Sequence, residues 1–138
     1  MILKALISIL TTFLFLPSFL FASDYATIQY TDTSSGTSFV VFQKSEGDEE
    51  FCRALNQNFI RGLRTTCPEC VIELQGCDSK LPSSFSDIFD DVPGALPYIS
   101  TPHMRIVVFG SFQAESICRE RAAKLKTGMN QDVRCIYK

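Results

Sequence analysis

Histidine is almost missing from this 138-residue chain, His103 being the only one. It stands next to Pro102 with no Cys or Ser at a triad-like position, so it reads as a solvated loop residue. That excludes a histidine-supported nucleophile and leaves the cysteines without the usual imidazole partner at a zinc site. A surplus of basic charge is lacking too, with 13 Lys and Arg against 15 Asp and Glu. Because phosphate neutralisation needs excess cations, no broad grip on nucleic acid or an anionic membrane is expected. Asp87, Asp90 and Asp91 lack the alternation and the Gly of a calcium loop, and read as a solvated turn. No metal, cofactor or enzyme active site emerges.

What is present begins with a leader. In segment 1–22, Lys4 precedes an apolar run through Ile7, Leu10 and Phe13 to Phe21, broken by Pro17 and Ser18. This is the pattern of a secretory signal peptide, with cleavage after Ala22 or Ser23. The rival is an uncleaved anchor, since the run is nearly long enough to span a bilayer; Pro17 and the small-residue exit favour cleavage. The expected location is therefore periplasmic or secreted, with membrane contact only through the leader before it is removed. About 115 residues then remain, enough for one core. All six cysteines lie in that part, and an even number in an exported chain reads as three disulfides.

Two similar halves follow. Segment 23–38 is rich in Thr, Ser and Asp, with an alternating patch from Tyr25 to Tyr30, and reads as a linker or an added edge strand. Residues 39–42 form a β-branched and aromatic strand. After acids at 46–50, Phe51, Leu55, Phe59 and Leu63 recur at helical spacing, with Cys52 and Ile60 beside them and Arg61 and Arg64 near the C-terminal end. A second strand, 71–75, follows the Cys67-Pro68-Glu69-Cys70 loop. The pattern then repeats: strand 105–109, turn at Gly110, helix 113–126 with Ala114, Cys118, Ala122 and Leu125 on one face, Gly128 as C-cap, and strand 133–137. Val-Val-Phe at 40–42 matches Val-Val-Phe at 107–109. The connection 78–102 carries Pro82, Pro93, Pro97 and Pro102, with a single helical turn within 84–90; loops of that length are commonly functional or disordered. The domain at 39–138 is thus expected to be α+β, a ferredoxin-like βαββαβ fold with two helices on one face of a four-stranded antiparallel sheet.

The pleat then assigns Ser38, Val40, Phe42, Glu73, Gln75, Arg105, Val107, Phe109, Arg134 and Ile136 to the open sheet face. That face reads either as a binding surface or as a surface covered by the connection or by the segment around Tyr25 to Tyr30. For the disulfides, Cys118 sits about 12 Å from the C-terminal end of its helix, and Cys135 about 10 Å up the adjacent strand. Cys52, near its helix start, is level with Cys77 at the far end of the second strand. Cys118 with Cys135, Cys52 with Cys77, and Cys67 with Cys70 are therefore the favoured pairs. A redox role for the Cys-x-x-Cys is disfavoured, because a helix C-terminus and Glu69 both oppose a thiolate there.

Residues 104–112, Met-Arg-Ile-Val-Val-Phe-Gly-Ser-Phe, with Ala114-Glu115, Arg121-Ala122-Ala123 and Lys124-Leu125-Lys126, resemble the second repeat of a SPOR domain, the bacterial sporulation-related repeat. Residues 39–75 resemble its first repeat more weakly. The resemblance implies the βαββαβ fold and a noncatalytic role in the bacterial cell envelope, binding peptidoglycan glycan strands stripped of their stem peptides. It implies that role for Phe42, Arg105, Val107, Phe109 and Arg134, with Gln75 beside them on the same face. Aromatic and aliphatic groups there suit sugar C–H faces, while Arg, Gln and Glu suit hydroxyls. The alternative is a disulfide-stabilised envelope protein that binds or assembles another protein.

Overall fold

The computed structural model describes residues 23–138; segment 1–22, and the signal-peptide reading with it, lies outside the described residues. The elements are β1 (Ser23–Asp32), β2 (Thr37–Gly47), α1 (Glu49–Thr66), β3 (Cys70–Asp78), β4 (Tyr98–Ser100), β5 (Met104–Phe109), α2 (Ala114–Met129) and β6 (Arg134–Ile136). The strands form one antiparallel sheet in the order β3-β1-β2-β5-β4-β6. The chain is α+β and carries three disulfides, but the sheet has six strands and not the four of a ferredoxin-like fold.

The two additional strands account for the difference. β1 is neither linker nor edge: it lies between β3 and β2 and pairs with both along nearly its whole length. Its alternation explains why. Ala26, Ile28 and Tyr30 are buried, while Gln29 and Thr31 point the other way and stay half-exposed. β4 is the second, three residues held between Pro97 and Pro102 inside the connection. Each half is therefore ββαβ, and the halves meet where β2 pairs with β5. Val40 lies opposite Val107, Phe39 opposite Val108 and Val41 opposite Ile106. That register is symmetric about the Val40–Val107 pair, so the repeated Val-Val-Phe marks a local two-fold relation.

α1 starts at Asp48, whose carboxylate accepts from the Phe51 amide at 3.1 Å; Glu49 and Glu50 occupy its positive end and Arg64 its last turn. The helix sits slightly rotated from the expected stripe. Cys52 and Asn56 are buried, Phe59, Ile60 and Leu63 pack on the core, and Phe51 is largely exposed. Asn56 is tolerated inside because its amide donates to the Gly76 carbonyl at 3.0 Å. α2 buries Cys118 and Ala122 as its periodicity predicts, but continues through Gly128 to a left-handed cap at Asn130.

Both helices cover one sheet face, over Ile28, Tyr30, Phe39, Val41, Ile99, Ile106 and Val108. Disulfides tie each helix to the last strand of its own half, Cys52 to Cys77 and Cys118 to Cys135, and Cys67 to Cys70 closes the corner between α1 and β3. The halves differ here: Cys135 faces Ile99 of β4, whereas Cys77 faces Ala26, near the start of β1.

Candidate functional site

The sheet face opposite the helices is largely roofed. Residues 79–97 fold across it, and Leu81, Phe85, Ile88 and Phe89 pack on Phe42, Val107 and Tyr98. Phe85 meets the Phe42 ring at 5.4 Å between centroids. Arg105 fastens this roof from below. Its guanidinium donates to the carbonyls of Ile88 at 3.1 Å, Phe89 at 3.3 Å and Thr101, and its Nε lies 3.2 Å from an Asp91 carboxylate oxygen. Asp91, in a left-handed conformation, also accepts from Ser100 at 2.6 Å and from Arg134 at 3.0 Å.

The residues expected to form a glycan platform are thus placed apart. Phe42, Val107 and Arg105 are buried beneath the roof. Arg134 is exposed at the β6 edge, paired with Asp91. Gln75 has changed face: the ladder skips Glu73, so Leu74 faces Gln29 and Gln75 faces Ile28, on the helix side. Phe109 alone sits, half-exposed, beside the strip left uncovered. In that strip Thr31 bonds Ser38 at 2.8 Å and also Glu73, and Gln29 donates to Glu73 at 3.2 Å.

A predominantly apolar hollow lies on the other side. α1 and α2 scarcely touch, and between them a cleft of about 620 Å³ opens onto the middle of the sheet. Its floor is Tyr30, Phe39, Ile99, Met104 and Ile106; Phe59 and Leu63 form one wall, and Leu125 and Met129 the other. The Tyr30 and Phe39 rings stack at 4.9 Å. Arg121 reaches over Phe39 at 4.5 Å and lies 3.7 Å from Asp32. Hydrogen bonds from the Ser34 hydroxyl and amide, joined by the Arg121 charge, hold the Asp32 carboxyl below its ordinary 3.8 against the opposing effect of burial. Burial pushes the Tyr30 hydroxyl up to about 12.

Cys67 and Cys70 border the same cleft, and their sulfurs lie within 4.8 Å of an Asp32 oxygen. Bonded to one another, they are not free metal ligands. The cleft was hidden from the sequence because no motif encodes the gap between two helices. The signals it did leave were the alternating patch ending at Tyr30 and the apolar stripes of α1 and α2. No family model, curated protein or solved structure matches the chain.

Proposed function

We propose that this chain is a noncatalytic binding module acting outside the cytoplasm, periplasmic or secreted, and that it takes an apolar segment of a partner protein into the cleft between α1 and α2. The observation that carries the reading is the cleft itself. Small domains normally fill the space between packed elements to crystal-like density, whereas here three aromatic rings and several aliphatic groups line a hollow about 620 Å³ in size. Arg121 and Lys124 on one side and Glu69 on the other orient a polar end. Three disulfides fit an oxidising compartment and keep so small a core rigid.

Titration of the domain with an anilinonaphthalene sulfonate dye tests this, with near-UV circular dichroism to verify native packing. One saturable site, displaced by a leucine-rich peptide and lost in Leu63→Glu, is expected. Dye binding that ignores Leu63→Glu removes the cleft from consideration. A second reading, glycan binding by a SPOR-like module, is favoured by the uncovered strip, where Phe109 stands beside the Ser38, Thr31, Gln29 and Glu73 group. A pull-down on peptidoglycan sacculi, with and without amidase removal of stem peptides, tests it. Retention that does not rise after amidase treatment ends that reading.

A further inference from the structure

β3 is a nine-residue strand at the end of the sheet; among the described residues it pairs only with β1, so its outer backbone groups have no strand partner there. Such an edge is normally shortened, covered, bulged, or marked with charge, Lys above all, or with Pro. The opposite edge follows that rule, since β6 has three residues and carries an exposed Arg134. β3 follows it only in its bulge at Glu73 and its acidic charge. It is long, has no Pro and no basic residue, and its Val71 and Leu74 are 52% and 51% exposed.

Instead the strand is held in place. Cys70 is bonded to Cys67 at its start and Cys77 to Cys52 near its end, so two of the three disulfides fix this single strand. Across its middle, Glu73 is bonded to Thr31 and Gln29 of β1, which steadies the bulge. Pinning removes most of the ordering cost a strand edge would otherwise bear on accepting another strand. The charge on it is of one sign, with Glu73 and Asp78 in the strand and Glu69 beside it.

The geometry points to β3 as a docking edge that accepts an extended, basic segment of a partner protein as a seventh strand. Main-chain hydrogen bonds supply the pairing, an apolar side chain of the partner seats beside Val71 and Leu74, and Lys or Arg answers Glu73. A second copy of this chain is the poorer occupant, because self-pairing sets two acidic strands side by side. This edge lies on the flank of the sheet and does not depend on the helix-side cleft.

The probe is an acetylated, amidated hexapeptide alternating Val with Lys, compared with its Val-Glu counterpart and with a copy N-methylated at alternate residues. Affinity is read by fluorescence anisotropy, and β3 amide protection by hydrogen exchange. The Lys peptide is expected to bind at least about tenfold more tightly than the Glu peptide and to protect β3 amides. N-methylation should abolish binding. Glu73→Gln, which retains a side chain able to bond Thr31, should weaken the Lys peptide by about threefold, and Glu73→Lys by more. Binding that survives N-methylation, equal affinity for both charges, no binding at all, or a dimer formed through β3 in sedimentation would each overturn the proposal.

Discussion

Gly62 offers a perturbation in which stability and binding should move in opposite directions. It lies inside α1, on the wall of the cleft, with nothing within 4 Å of where a Cβ would stand. In a helix interior, Gly→Ala gains about 1 kcal/mol, because Gly loses the most backbone freedom on folding. For a domain of roughly 115 residues that corresponds to a Tm rise of about 4 °C. Gly62→Leu keeps most of that propensity gain. Its side chain enters the apolar hollow, and burial adds roughly 1–2 kcal/mol, for a total rise of about 10 °C. The same side chain occupies the space meant for a ligand, so binding of the sulfonate dye should fall steeply. Thermal melts by circular dichroism and dye titration on the same samples give both numbers. A Gly62→Leu protein that melts higher yet binds the dye unchanged would show that the cleft is not the site. One that melts lower would show that the space is not open as described.

Three further outcomes are expected. Tyr30 ionises near 12 against an ordinary 10.0, because burial opposes its charged form, with the Arg121 cation partly offsetting it. The stability it confers is therefore intact below pH 10 and declines as pH rises through about 12, by roughly 3 kcal/mol; Tyr30→Phe should flatten that alkaline loss in urea titrations. Replacing Cys118 and Cys135 together with Ala releases a loop spanning 17 positions and should cost about 3 kcal/mol in denaturant unfolding, with the other two bridges intact. Arg105→Met removes the buried one of Asp91's two cationic partners and the guanidinium that bonds the Ile88 and Phe89 carbonyls, freeing the roof at a cost of about 3 kcal/mol. Limited proteolysis should then cut within residues 79–97 faster than in the parent chain.

How far the fold could be read follows from where each signal resides. The helices and the strands after them were legible because their periods are local, and the helix-to-strand levels of Cys118 and Cys135 bring those residues within reach of each other. β1 was misread because Thr27, Gln29 and Thr31 gave it the look of a polar linker, although they alternate with the buried Ala26, Ile28 and Tyr30. The phase of α1 slipped because an apolar stripe led by Phe51 outweighed a buried Asn56, whose place depends on a carbonyl of β3. A single bulge residue, Glu73, moved Gln75 to the other face, and no local pattern announces a bulge. The open face was legible only as two alternatives. Four apolar residues within a Pro-rich connection, Leu81, Phe85, Ile88 and Phe89, were the sign that it would be covered.

The symmetry about Val40 and Val107 also bears on how such a chain arises. A ββαβ unit cut between the halves would leave the inner edge of β2 or β5 bare, and two copies of it could close on one another through the same register. The present domain has the form of that dimer fused into one polypeptide. The two halves nevertheless do not match: the first has long β1 and β3, whereas in the second β4 and β6 have three residues each, and the roof lies in the connection between the halves. A symmetric pair has two equivalent flanks, whereas this chain has a long flank at β3 and a short one at β6, so any growth of the sheet has a direction.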